Sequence, residues 1–429
     1  MSTRNLAGET WMLDAPPSRP GERAVGAAAD RRALSDITVL DFTHMVSGPY
    51  AAMLMADLGA RTIKIEPVGE GEGTRKLLSS DAQHSLHGMG AYFLTLNRNK
   101  KSICLNLKRK ESRAVLHALV RQADVVIDNF AAGVTARLGI DHASLSKINP
   151  RIITCSITGF GQTGPAIHRP AFDMVAQGIG GGMSITGEEG GRPLRAGIPI
   201  GDLGGGLFGV IGVLSALHAR KTTGVGQQVD ISMLDCQISL LNYMATMHFL
   251  SGLNPEPLGN GHFVHVPYNT FRTRSRDIII AVITDGFWAS LVEALAIESL
   301  GNPDYRTQPG RFRDREIINS RIQEKLATES CEHWLDLLGI HRIPCAPVND
   351  FGHALIDPQV RARNMVVEVA HPVSGTVRMP GNPVKLSDTH ADIFSAPPLV
   401  GADTDEILGQ LLKLDASEIA RLRAVGAVG

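Results

Sequence analysis

The 429-residue chain is poor in cysteine and carries almost no net charge. Its five cysteines (Cys104, Cys155, Cys236, Cys331 and Cys345) are odd in number and scattered, with no CxxC pair. Such spacing offers no zinc site, so no metal is expected; it fits reduced thiols in a cytoplasmic protein. A formal net charge of −1 provides no global field to recruit nucleic acid or an anionic membrane. No apolar run in the sequence reaches the roughly eighteen residues that cross a bilayer. Residues 1–34 are rich in Ala, Arg, Gly and Pro, lack an apolar signal core and read as a loose extension. Several catalytic signatures are also missing: GxxxxGK[ST], HExxH and G-x-S-x-G. The cluster GIGGG at 178–182 does not fit G-x-G-x-x-G, and it lies far beyond the first βα turn, where a dinucleotide fingerprint belongs. An NAD-dependent oxidoreductase is therefore a weak reading.

What is present centres on Arg195–Lys221, RAGIPIGDLGGGLFGVIGVLSALHARK. Asp202 stands just ahead of Gly204, Gly205 and Gly206. Beyond them Leu207, Val210, Ile211, Leu214 and Leu217 recur at helical spacing, which predicts a helix with one buried stripe. Each glycine early in a helix costs about 1 kcal/mol, so three together imply that a second chain or a ligand comes close to the backbone. Asp is a good helix N-cap, and exposed helix-start N–H groups also favour negative charge beside them. A structural cap and a catalytic carboxylate are both compatible with Asp202.

Elsewhere the pattern alternates. Strands are expected at 37–42, 62–66, 101–107, 125–128 and 151–157, with helices at 49–58 and 111–123. That is an α/β chain with a doubly wound, Rossmann-like parallel sheet, whose ligands bind at the carboxyl ends of the strands. A strand at 229–233 and an apolar helical stretch at 234–250 follow, then helices near 287–297, 313–328 and 333–338. Two domains are expected from the length: a large one from 35–234 and 341–429, and a smaller α/β one from 235–340.

Seven blocks in succession resemble signatures of the class III (CaiB/BaiF) CoA-transferase family: DFTHMVSGPYAAMLMADLGARTIKIEP, LNRNKKSICLNLK, DNFAAGVTARLGI, CSITGFGQTGP, RPAFDMVAQG, GDLGGGLFG and GVGQQVDISMLD. The likeness runs from about Leu34 to the C-terminus. It implies a two-domain α/β subunit whose large domain is built from both chain ends, paired as an interlocked homodimer. It implies a coenzyme A thioester as substrate, with no permanently bound cofactor, and carboxylic acids as the other partners.

The resemblance places the family's nucleophilic aspartate on Asp202, attacking an acyl-CoA thioester and passing through an anhydride and an aspartyl-CoA thioester. Backbone N–H groups around Gly201–Gly206 would stabilise the oxyanions. Positions that contact CoA in the family fall on Leu105, Lys108, Asn129, Phe130 and Arg137. Where formyl-CoA transferases carry Gln and Arg, this chain has Val46 and Pro67, a departure from the formyl-CoA/oxalate pattern. Asp173 occupies an acidic position near the family's active site, with helix capping as its plainer reading. The turn Gly259-Asn260-Gly261 resembles a glycine-rich loop that covers the nucleophile, and N-G is also an ordinary hairpin turn. His44, Arg98 and Arg195 are the cations available to hold the second carboxylate of a dicarboxylic acid. The chain's look is nearest to members using succinyl-CoA and short dicarboxylates. An α-methylacyl-CoA racemase is the alternative; racemases of the family carry a His immediately before the acidic residue of this block, where this chain has Phe172. A non-catalytic CoA-binding subunit would have lost Asp202.

Overall fold

The computed structural model describes residues 31–373 and 375–429. Most of the expected loose extension lies outside them. Leu34, at its end, is buried and donates its N–H to the Leu58 carbonyl at 2.9 Å.

Six strands form one parallel sheet: β1 (Thr38–Asp41), β2 (Arg61–Glu66), β3 (Lys100–Cys104), β4 (Val125–Asp128), β5 (Ile153–Thr158) and β6 (Gln228–Ser232). Their order is β3-β2-β1-β4-β5-β6. This is the doubly wound order in which the winding reverses between β1 and β4, opening a crevice beyond their carboxyl ends. Fully apolar strand interiors such as Val125-Val126-Ile127 follow from burial on both faces. One face is covered by α1 (Ser47–Asp57) together with residues of the later helix 200–223. The other is covered by α2 (Lys110–Gln122) and by C-terminal residues including Ile407, Leu408, Ile419 and Leu422.

A second apolar core surrounds an antiparallel three-stranded sheet, in which Ile278–Ala281 lies between Tyr268–Phe271 and Cys345–Pro347. The third of these strands lies beyond the expected boundary at 340, because its pairing with Ile278–Ala281 is a long-range contact that periodicity does not reveal. The single helix expected at 234–250 is two, Met233–Leu241 and Tyr243–Ser251, broken where Asn242 takes φ 49° and ψ −126°.

Two corrections concern the stretch around Asp202. Its helix, α4 (called α4 after α3, Asp173–Ile179), runs Ile200–Thr223, so Asp202 and all three glycines lie inside its first turns. The buried stripe is also not the predicted one. Gly205, Gly206, Gly209, Val210, Val213 and Leu217 face inward, whereas Leu207, Ile211 and Leu214 are exposed. The glycines are needed by the chain's own packing. A Cβ on Gly206 would meet the Ser47 carbonyl oxygen at 2.8 Å, and one on Gly209 would meet Ile157 at 2.8 Å. Small residues let α4 lie closely against α1 and the sheet, and a leucine ridge on that face would hold them apart. By length and mean hydropathy (1.7) α4 is apolar enough to cross a membrane, which the sequence reading missed because glycines dilute its run; half of that window is buried within the chain.

Candidate functional site

The loop after β1 is held by charges buried beneath it. Thr43 donates from its N–H (2.8 Å) and its hydroxyl (2.5 Å) to Asp41 Oδ1, and Lys64 Nζ donates to the Thr43 carbonyl at 2.8 Å. Lys100 Nζ donates to Asp41 Oδ2 at 2.8 Å. Burial alone would raise the Asp41 carboxyl, but Lys100 and Lys64 outweigh it and hold the group below its ordinary range. Burial in turn pushes Lys100 down to about 8.

Next in the chain, His44 meets the loop after β4. His44 N–H donates to Asn129 Oδ1 at 2.9 Å, and Asn129 Nδ2 donates to the His44 carbonyl at 2.6 Å. The His44 ring also lies against Phe130, with centroids 5.0 Å apart and the planes tilted by 56°. The reciprocal bonds join the two loops where the strand order reverses, the place a doubly wound sheet reserves for its ligand.

Two cavities meet at this junction. A cleft of about 540 Å³ is lined by Pro67, Leu105, Lys108, Phe130 and His44, among others. A smaller cavity of about 280 Å³ is lined by His44, Val46, Asn129, Phe130, Phe172 and Asp202. His44 and Phe130 belong to both. Of the positions the resemblance gives to CoA, Leu105 and Lys108 line the larger cleft, Asn129 the smaller cavity and Phe130 both. Arg137 sits exposed on the short helix Val134–Leu138 and lines neither cavity, although Leu138 lines the larger one.

Asp202 is half-buried at the start of α4, and its carboxylate accepts no hydrogen bond and has no ion pair among the described residues. Burial first, and the neighbouring negative charge of Asp173 second, push its pKa up to about 7. Asp173 caps a helix, though not the one it begins. It is the first residue of α3, yet it caps α4: its Oδ1 accepts from Gly201 N–H at 2.8 Å and Asp202 N–H at 3.2 Å. Gln177 Nε2 donates to Asp173 Oδ2 at 2.7 Å, and Gln177 Oε1 accepts from Ala196 N–H at 2.9 Å, which ties down the approach to the helix. Leu203 N–H donates to the Pro199 carbonyl. The N–H groups of 201–203 therefore already have partners, contrary to their expected service as oxyanion donors.

None of the three cations proposed for a second carboxylate fits that role. Arg98 is 1% exposed and forks onto Asp57 (2.7–3.2 Å), with Nη1 donating to the Pro380 carbonyl; it ties the C-terminal segment to α1. Arg195 is exposed, bonds to the carbonyls of Ala196 and Gly197, and lines neither cavity. His44 lines both, but burial, then Lys64, lower its pKa, so its imidazole is neutral near pH 7. The cation that does line the smaller cavity is Arg169, the first residue of the block RPAFDMVAQG. Its one sequence signal was a lone Arg before Pro170, too common to single out. The turn Gly259-Asn260-Gly261 packs elsewhere in this chain: Gly259 N–H donates to the Gly187 carbonyl and Asn260 Nδ2 to Thr270 Oγ1. Phe172 is 68% exposed and lines the cavity of Asp202, so no base stands at that position. No group of three or more His, Cys, Asp or Glu that could hold a metal occurs among the described residues.

The parallel α/β sheet carries a cleft at its switch point, and beside it lies a cavity lined by an unpaired carboxylate. The family follows. The chain belongs to CoA-transferase family III, matched over residues 34–404, and is a CoA-transferase. It is 38% identical to an acetyl-CoA:oxalate CoA-transferase of Acetobacter aceti, over 82% of this chain and 88% of that protein. It is 32% identical to the human succinyl-CoA:glutarate CoA-transferase, over 92% of this chain and 90% of that protein. The crystal structure of a CAIB/BAIF family protein from Brucella suis superposes with a TM-score of 0.80 at 32% identity, covering 89% of this chain and 100% of that one.

Proposed function

We propose that the protein moves CoA from succinyl-CoA to a short carboxylic or dicarboxylic acid, with Asp202 as the covalent nucleophile. The observation that carries this is the unpaired Asp202 carboxylate in a cavity that shares His44 and Phe130 with the larger cleft. In this reading the nucleotide end of CoA lies along Leu105 and Lys108, and the pantetheine crosses Phe130 to bring the thioester to Asp202. Lys108 is exposed at the rim of that cleft, where an ammonium pairs with phosphate. The Asp202 carboxylate attacks the acyl carbonyl, forming a mixed anhydride and expelling CoA thiolate. The thiolate attacks the aspartyl carbonyl of the anhydride, releasing the donor acid and leaving aspartyl-CoA thioester. The acceptor carboxylate attacks that thioester and again expels thiolate. Thiolate attack on the acceptor's acyl carbonyl completes the exchange and regenerates Asp202. A carboxylate that is poorly solvated and repelled by Asp173 is a stronger nucleophile than a hydrated one. Relatives named for succinyl-CoA with glutarate or mesaconate support the choice of substrates. A homodimer belongs to the same reading: the exposed Leu207, Ile211 and Leu214 face of α4 is apolar surface that a second copy would cover.

The test is acyl exchange by purified protein, with succinyl-CoA as donor and a panel of acids, beside Asp202→Ala. New acyl-CoA should form with at least one acid, and hydroxylamine should inactivate the enzyme only when donor is present. Transfer that survives in Asp202→Ala rules out the mechanism.

A further inference from the structure

We infer that Arg169 holds the distal carboxylate of a dicarboxylic substrate, and so sets the enzyme's preference for dicarboxylic over monocarboxylic acids. This rests on the proposed transferase function. If the reacting carbonyl lies against Asp202, the rest of a short acyl chain lies in the same cavity of about 280 Å³. Much of its wall is apolar, including Met45, Val46, Ala131, Ile157 and Ile167. A second carboxylate placed there is costly unless a fixed cation meets it. Two other titratable groups line this cavity. Asp202 would repel a carboxylate, and His44 is held neutral by burial and Lys64. Arg169 remains as the permanent charge. Its guanidinium lies over the Phe160 ring, 5.2 Å from the centroid, and Phe160 also lines the cavity. A ring face attracts and holds a cation placed over it, and a guanidinium so held can still fork its N–H groups onto a carboxylate. No side-chain carboxylate pairs with Arg169 among the described residues, whereas Arg98 already has Asp57. A CoA phosphate is the less suitable occupant, because Lys108 stands on the other cleft.

The experiment compares glutarate with pentanoate, which matches its length but lacks the second carboxylate. Exchange through an enzyme-bound CoA ester is ping-pong, so kcat/KM for the acceptor reads independently of the donor. Wild type should prefer glutarate. Losing one charge-assisted pair corresponds to roughly a 10- to 100-fold fall in the glutarate-to-pentanoate ratio of kcat/KM in Arg169→Gln. Arg169→Lys, which keeps charge but not the fork, should fall between. Arg169 is exposed, and an unchanged melting temperature would confirm that each variant folds. A wild type that prefers pentanoate, or a variant that loses both acids equally, overturns the inference and leaves the transferase reading intact. Transfer to no acid at all overturns both.

Discussion

Two loops at the carboxyl edge of the same sheet treat buried charge in opposite ways. Beneath the loop after β1, Asp41 is fully buried but meets Lys100, Lys64 and Thr43, so its charged form is favoured. At the start of α4, Asp202 is half-buried with no partner and with Asp173 nearby, so its charged form is disfavoured, with a pKa near 7. The first arrangement uses electrostatics to fix backbone: three hydrogen bonds to Thr43 hold the loop that presents His44 to Asn129. The second leaves a charge unsatisfied, as the proposed nucleophile requires. Rigidity and reactivity come from the same physics with opposite pairing.

The comparison can be broken at several points. Removing the unpaired acid should have the largest effect: Asp202→Ala is expected to lower transfer by at least about 10³-fold, measured as initial rates of acyl exchange. Breaking the paired cluster should act on stability instead. Lys100→Met leaves buried Asp41 with Lys64, at 3.9 Å, as its one cation among the described residues, at a cost of about 3 kcal/mol in urea unfolding. A smaller effect of opposite sign is expected for Asp202→Asn. A carboxyl whose folded pKa is raised to about 7 favours the folded state while protonated, and that advantage is lost as pH rises from the unfolded value of 3.8 through 7. Asn should therefore raise the melting temperature by a few degrees above pH 7 and leave it unchanged below about pH 4. Asp41 has the reverse dependence: its lowered pKa contributes stability above the ordinary carboxylate range, which is lost on acidification. The finest change sharpens the reactive side. With ionised Asp202 as the proposed nucleophile, kcat/KM should rise with pH through about 7. Asp173→Asn keeps an oxygen acceptor for the Gly201 and Asp202 N–H groups but removes the repelling charge, so the rising limb should move to lower pH. An unshifted limb would show that Asp173 acts through capping alone.

Much of the architecture was legible in the sequence. The apolar strands of the parallel sheet, down to Val125–Asp128, and α2 are local patterns: continuous hydrophobic runs, and an apolar stripe recurring at helical spacing. The successive motif blocks pointed to the CoA-transferase family and to Asp202. Three things were not legible there. The buried face of α4 was misread because its contacts with Ser47, Tyr50 and Ile157 select glycine over leucine, and a hydrophobic count sees only the leucines. The cations were misassigned because the charge of an arginine says nothing about its partner. Arg98 belongs to Asp57, 41 residues away, and Arg195 bonds to its own loop, while Arg169 stands in the cavity.

What the sequence by itself determined was the order of elements, the family and the acid on which the chemistry is proposed to turn, all properties of residues near one another in the chain. The tertiary structure decided which charges are paired. Asp173 reaches the N–H groups of Gly201 and Asp202 from 28 and 29 residues away, and His44 meets Asn129 across 85. Pairing depends on distances of a few ångströms between distant segments, and the dielectric and charge around a carboxylate exist only once those segments are packed.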